Sequence, residues 1–143
     1  ISISGSDRCS SFGTFSSLIN YSYSGRPYRS EVQNSYICFD FKNYCIFISA
    51  YSIRSSTDSN PCNPRSWTLE GSNNESEWSV IDSHQNDSTI SARDTAYLFK
   101  INEENHIKYP FRFIRFKLTG QSSCGSYHLE ITNFEFFGKL FQK

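Results

Sequence analysis

Short runs in which apolar and polar residues alternate recur along most of the chain. Residues 37–41 read ICFDF, and residues 111–119 read FRFIRFKLT, where Ile114, Phe116 and Leu118 share one side. A period of two residues is typical of a β-strand with one buried face. Residues 45–53 are apolar on both faces, which indicates a strand that is covered on both sides.

Turn-forming residues separate these runs. Residues 71–74 read GSNN, and Gly and Asn adopt positive φ at low cost. Strand-like residues flank this turn at 67–70 and 78–81. The pattern therefore predicts a β-hairpin over this part of the chain.

The remaining signals complete an all-β pattern. Strands are expected at 96–101 and 128–137, the second with a bulge near 132–133 because its apolar phase shifts there. The helix signal is limited to one turn at 17–21. Many short strands separated by turns are typical of a β-sandwich or barrel, in which the first and last strands are expected to lie close together. The expected core includes Ile37, Phe39, Phe47, Leu69, Ile114, Phe116, Leu129 and Phe136.

Composition and charge narrow the functional classes. The chain has 143 residues, of which 17% are aromatic, so large rings can build the core of one domain. The formal net charge is +0, which argues against a nucleic-acid partner. No apolar run approaches the roughly 18 residues that a membrane-spanning helix needs. We expect a single domain over 1–143, and the absence of Met indicates that it is a fragment of a longer protein.

The five cysteines cannot all pair within one chain. Cys38 and Cys45 lie in strand-like runs, so we predict that both are buried free thiols. Cys62 and Cys124 lie in polar loops and could form a loop-to-loop disulfide in an oxidising compartment. Otherwise, Cys62 is expected to react rapidly with thiol reagents.

Five sequence blocks in order resemble the discoidin family, also called the coagulation factor 5/8 type C domain. They are ICFDF (37–41), YSIRS (51–55), PRSWTLEGSNNESEWSVID (64–82), FRFIRFKLTG (111–120) and HLEITNFEFFG (128–138). The resemblance implies an all-β, discoidin-like distorted jelly-roll β-sandwich of about eight antiparallel strands, also described as galactose-binding-like. It is closest to the intracellular branch associated with BTB-type adaptor proteins. No Cys follows Gly138, so the disulfide that ties the termini of secreted members cannot form here.

The resemblance places loops 20–35 and 54–65 together at the end of the sandwich where family members bind ligands. Tyr rings can stack on sugars or peptide side chains, and Arg offers paired hydrogen-bond donors. Amide and carboxylate groups in the second loop can hydrogen-bond to hydroxyl groups. The candidate ligand-binding residues are Tyr23, Arg26, Tyr28, Arg29, Arg54, Asp58, Asn60 and Arg65.

Catalysis is not indicated, because the sequence contains neither GxSxG, HExxH nor a phosphate-binding GxxxxGK[ST] motif. His84, His106 and His128 share no metal-ligand spacing, so neither a metal nor a cofactor is expected. We predict a non-catalytic module that binds a protein or peptide, with a glycan as the alternative. A membrane lipid is the weakest candidate, because the early loop carries Tyr and Arg in place of bare apolar residues. The expected location is intracellular (cytoplasmic), with the cell surface or secretion as the alternative.

Overall fold

A computed structural model describes residues 1–102 and 109–143, and His106 lies outside the described residues. These residues form one 3-10 turn, η1, and ten strands. The turn spans Phe15–Ile19. The strands are β1 (Ser2–Gly5), β2 (Tyr28–Ser30), β3 (Tyr36–Asp40), β4 (Tyr44–Arg54), β5 (Trp67–Ser72), β6 (Ser79–His84), β7 (Ala96–Lys100), β8 (Phe113–Leu118), β9 (Leu129–Ile131) and β10 (Asn133–Gln142).

The strands form three antiparallel sheets. The largest has the order β1-β3-β8-β5-β6, the second β10-β4-β7, and β2 pairs with β9. The fold is thus the predicted all-β jelly-roll sandwich, with ten described strands where about eight were expected. Within the described residues, no helix has the length and apolar character needed to cross a bilayer.

Aromatic rings from opposing sheets fill the core. Phe39 of β3 lies 5.3 Å and 4.9 Å, between ring centroids, from Phe134 and Phe136 of β10. Six of the eight predicted core residues are fully buried: Ile37, Phe39, Leu69, Ile114, Phe116 and Leu129. Phe47 and Phe136 are only half-buried, although the Phe136 ring still packs against the core through Phe39.

The predicted bulge near 132–133 is wrong, because the chain changes sheets there instead. β9 ends at Ile131 after pairing with β2, and β10 begins at Asn133 and pairs with β4. Thr132 is buried between them, where its backbone N–H donates to the Arg54 carbonyl at 2.9 Å. The bulge in this segment lies at Phe137/Gly138, where a Cβ on Gly138 would collide with the Phe47 carbonyl.

The first and last strands are near each other but belong to different sheets. β1 pairs with β3, whereas β10 pairs with β4. Ile1 and Leu140 line the same apolar cavity of about 310 Å³. The expected proximity of the terminal strands is therefore present without a hydrogen-bonded pairing between them.

Candidate functional site

Four connections meet at one end of the sandwich, called the loop end below: residues 20–27, 55–66, 85–95 and 119–128. The Thr57 hydroxyl donates to the Gly25 carbonyl at 3.0 Å, which joins the first two connections. The Asp94 N–H donates to the Ser56 carbonyl at 2.9 Å and brings in the third. The two loops expected to form a site thus lie together.

Arg26 and Asp58 form an ion pair across the first two connections. Arg26 Nη2 lies 3.3 Å from Asp58 Oδ2, and their side chains are 50% and 28% exposed. The Arg26 guanidinium carbon lies 3.6 Å from the centroid of the Phe12 ring, so the guanidinium also makes a cation–π contact with that ring. A guanidinium held in this way keeps part of its hydrogen-bonding surface accessible.

A second ion pair lies beside the first. Arg54, the last residue of β4, donates from Nε to Asp94 Oδ1 at 2.7 Å and from Nη1 to the Tyr23 carbonyl at 3.2 Å. Asp94 has a φ of +49°, a conformation that Asp tolerates better than most residues, and its side chain is 44% exposed. Arg54 therefore connects the strand framework to the loop that carries Tyr23.

Tyr23 provides a half-buried ring in the same neighbourhood. A Cβ on Gly25 would stand 2.6 Å from the Tyr23 hydroxyl oxygen, so the absence of a side chain at residue 25 lets the phenol lie over its own loop. Tyr21, two residues earlier, is 63% exposed. Of these two, Tyr23 is connected to the Arg–Asp pairs, because its carbonyl accepts from Arg54.

The prediction that Tyr28 binds the ligand is wrong. Its side chain is completely buried, and its hydroxyl donates to the Ser6 carbonyl at 3.1 Å. Burial raises the pKa of this phenol. The ring packs at 5.4 Å from Phe15, because β2 directs residue 28 into the core.

Arg29 points into a polar cluster within the fold. Its guanidinium pairs with the buried Glu130 and with Glu31, both at 2.9 Å. It also donates from Nη2 to His128 Nδ1 at 2.7 Å. Since these partners occupy Arg29, the arrangement favours a structural role over the predicted ligand contact.

Asn60 and Arg65 are exposed on the second connection. No side-chain contact within the part of the chain that the structure describes joins either residue to the two Arg–Asp pairs. The Arg65 carbonyl accepts the Asp87 N–H at 2.8 Å, which ties its backbone to the third connection.

A polar groove of about 450 Å³ runs along the side of the loop end. It is lined by hydroxyl, amide and imidazole groups of Ser66, Thr68, His84, Asn86, Thr119 and Gln121. His84 stacks on the buried Trp67 ring at 4.4 Å and contacts Asp82 and Asp87 through its two ring nitrogens. The groove offers many neutral hydrogen-bonding groups and few apolar ones.

The cysteines depart from expectation in two respects. Cys62 and Cys124 form a disulfide, with Cα atoms 5.0 Å apart. The predicted rapid labelling of Cys62 is therefore wrong for the oxidised protein, in which Cys62 has no free thiol. Cys38 is a buried free thiol as predicted, and burial raises its pKa to about 11. Cys45 is free but only half-buried, because its sulfur reaches toward Asn73 at the far end of the sandwich.

Two residues of the candidate site were missed from the sequence. Phe12 lies in a short Ser- and Gly-flanked segment, and Asp94 lies in a polar loop without any motif. The alternating pattern that identifies strands carries no information on which loop residues meet. Only the fold brings Asp94 to Arg54.

The chain resembles known proteins more clearly in structure than in sequence. No protein-family model matches the chain. Part of the chain is similar to the E3 ubiquitin-protein ligase Ufd4 of Drosophila melanogaster, with 26% identity over 96 residues, or 66% of this chain. The chain corresponds to only 4% of that protein's length.

Several solved structures superpose on nearly the whole chain. CpGH89CBM32-5 from Clostridium perfringens, in complex with GalNAc-beta-1,3-galactose, gives a TM-score of 0.71 at 9% identity over 96% of this chain and 94% of that one. The CBM32 of AlyQ, in complex with 4,5-unsaturated mannuronic acid, gives 0.69 at 14% identity with the same coverage. CBM62 from Clostridium thermocellum Xyl5A gives 0.68 at 14% identity, again over 96% and 94%. The chain therefore has the galactose-binding-like, discoidin-type fold of these modules.

Proposed function

We propose that residues 1–143 form a single non-catalytic module that binds carbohydrate at the loop end. The observation that carries this proposal is the pairing of Arg26 with Asp58 and of Arg54 with Asp94 beside the Tyr23 ring. In each pair the Arg guanidinium can donate a hydrogen bond to one sugar hydroxyl group while the Asp carboxylate accepts one from a neighbouring hydroxyl group. An adjacent aromatic ring offers a face for the apolar side of a sugar.

The structural relatives support a glycan over a protein as the ligand. Two of them hold a saccharide, GalNAc-beta-1,3-galactose or 4,5-unsaturated mannuronic acid, in the same fold. The Arg26–Asp58 and Arg54–Asp94 pairs each balance one positive with one negative charge, which suits an uncharged, hydroxyl-rich ligand. The proposal therefore favours the glycan alternative over the protein or peptide partner expected from the sequence.

A protein or peptide partner is the second candidate, and the similarity to Ufd4 favours it. A chain that corresponds to a small part of a much larger protein is compatible with a recognition module inside an adaptor or ligase. We propose an intracellular location on the same grounds. The Cys62–Cys124 disulfide is the observation against that location, because such bonds are rare in the cytosol.

The proposal is tested with a glycan array, followed by calorimetric titration of the sugars that bind. We expect one sugar class to bind with modest affinity, since the site is shallow and open. Arg26→Ala should weaken that binding by about 1–3 kcal/mol, roughly 5- to 150-fold.

Arg112→Ala is the matched control. Arg112 also pairs with an aspartate, Asp40, at 2.8 Å, but at the opposite end of the sandwich. It should leave sugar binding unchanged. Equal losses for the two variants, or an array without any specific sugar, would contradict the proposal, and binding of a peptide library at the loop end would favour the second candidate.

A further inference from the structure

The disulfide at the loop end lies next to a histidine. The sulfurs of Cys62 and Cys124 and a ring nitrogen of His128 all lie within 4.8 Å of one another. His128 Nδ1 is 3.9 Å from Cys62 Sγ. Two thiolates and an imidazole are the donor set that proteins use for Zn²⁺.

The spacing is close to that of a tetrahedral zinc site. With Zn–S near 2.3 Å and Zn–N near 2.05 Å, a sulfur and a nitrogen on one zinc stand about 3.6 Å apart, and two sulfurs about 3.8 Å. The Cys62–His128 distance of 3.9 Å needs almost no adjustment. The two sulfurs must separate, which becomes feasible once the bond between them is reduced.

The surroundings of His128 suit a metal ligand. Its Nε2 lies 3.8 Å from an oxygen of the exposed Glu31 carboxylate, so a small movement of that side chain brings the two atoms within hydrogen-bond distance. A carboxylate behind a metal-bound histidine orients the ring and fixes its tautomer. Arg29 competes for the Nδ1 lone pair at 2.7 Å, but it retains Glu130 and Glu31 as partners if it moves away.

Unsatisfied polar atoms gather around this cluster. Among the described residues, Arg29 Nε and Asn63 Oδ1 are the two buried side-chain polar atoms without a hydrogen-bond partner. Arg29 contacts His128, and Asn63 directly follows Cys62 in the chain. Buried polar atoms are usually paired in folded proteins, and of these two only the Asn63 oxygen is an acceptor that a metal-bound water could donate to.

We infer that Cys62, Cys124 and His128 bind one Zn²⁺ when the disulfide is reduced. An external reductant supplies two electrons and the S–S bond breaks to give two thiols: a dithiol provides the two protons and becomes a disulfide, whereas a phosphine takes oxygen from water, which provides the protons, and becomes a phosphine oxide. Zn²⁺ then replaces the two thiol protons, forms two Zn–S bonds and takes the Nδ1 lone pair of His128. Cys124 is exposed, so the fourth position is open to water.

The consequence is that connections 55–66 and 119–128 are joined in either redox environment. In an oxidising compartment the disulfide links them, and in a reducing one the zinc does. The inference does not depend on the proposed function, because it concerns how the loop end is held together and not what it binds.

The experiment uses the full chain, purified anaerobically, reduced with a phosphine and titrated first with Co²⁺ and then with Zn²⁺. Reduced protein should take up one Co²⁺ with thiolate charge-transfer and tetrahedral d–d absorption, and Zn²⁺ should displace it. Oxidised protein of the same sequence should take up none. Equal uptake by the two forms, or no uptake by either, would overturn the inference.

Variants identify the ligands. Cys62→Ser, Cys124→Ser and His128→Gln should each weaken metal binding by at least about 100-fold, since loss of even an outer partner of a ligand costs 10–100-fold. Cys45→Ser is the matched control, because Cys45 is a free thiol at the opposite end and should leave binding unchanged. If Cys45→Ser loses as much as Cys62→Ser, the metal binds elsewhere and the inference is wrong.

Discussion

Arg26 and Arg29 are three residues apart, but they belong to different environments. Arg26 is half-exposed, pairs with Asp58 and lies on the Phe12 ring at the loop end. Arg29 is largely enclosed and pairs with Glu130, whose side chain is only 1% exposed. The boundary between the two is Pro27, which is buried just before β2 begins at Tyr28.

The difference shows that within residues 21–29 some Tyr and Arg side chains are available to bind a ligand, whereas others stabilise the fold. Residues 20–26 belong to a loop, and all of them are exposed except the half-buried Tyr23. Tyr28, Arg29 and Ser30 belong to β2, which pairs with β9, and their side chains are buried or paired within the fold. Tyr and Arg within the same nine residues therefore have opposite roles, and the predictions below test this division.

The largest effect is expected for the two tyrosines on either side of Pro27. Tyr28→Ala should lower the free energy of unfolding by about 3–5 kcal/mol, because it removes a fully buried ring. Tyr23→Ala should lower it by less than about 1 kcal/mol. Urea denaturation of both variants measures the difference, and similar losses would contradict the proposed boundary.

The disulfide comes next. It spans 62 residues, and its reduction in a buffer containing a metal chelator should lower the free energy of unfolding by about 2–4 kcal/mol. Oxidised and reduced protein are compared in the same denaturation experiment. Without the chelator, added Zn²⁺ should restore part of the loss in the reduced protein, but not in Cys124→Ser.

The two ion pairs should also differ. Glu130→Ala leaves Arg29 without its buried partner and should cost about 2–3 kcal/mol, less than for a fully buried pair because Arg29 is 21% exposed. Asp58→Ala removes an exposed partner and should change stability by less than about 0.5 kcal/mol. Thermal unfolding of the two variants at equal salt provides the comparison, and a costlier Asp58→Ala would reverse the assignment.

His84 lies between these extremes and should give a pH-dependent effect. Burial lowers its pKa, but hydrogen bonds to Asp82 and Asp87 raise it by more, so the net pKa lies above the ordinary 6.5. The stabilisation is complete below pH 6.5 and is lost as the pH rises through the higher folded-state pKa. Denaturation midpoints between pH 6 and 9 should fall in the wild type and stay nearly flat in His84→Asn, apart from changes common to both proteins.

The strands were predictable because the alternation of apolar and polar residues along a strand follows which of its side chains are buried. Phe39, Ile114 and Phe116 are buried where the period of two places them. The change of sheet at Thr132 was not predictable, since a shift in apolar phase looks the same whether the strand bulges or leaves one partner for another. The sequence pattern identifies faces of strands, but it does not identify their neighbours.

The candidate site was predictable only in part. The grouping of the two loops followed from the resemblance, and Arg26 and Asp58 do meet. Tyr28 could not be separated from Tyr23, because both lie in one polar segment and the three-residue strand that buries Tyr28 is too short to show a period. Asp94 and the Cys62–His128 contact depend on distant loops meeting, which no local pattern records.

The most direct test of the sugar-binding loop end is to map the amide shifts of isotope-labelled protein by NMR as a sugar from the array is added. The account predicts concentration-dependent shifts in residues 20–27, 55–60 and 92–95, together with the Arg26 and Arg54 side-chain signals. The amides of Asn73 and Arg112, at the opposite end, should not move. Shifts centred on that opposite end, or on the outer face of β4 and β10, would contradict the account.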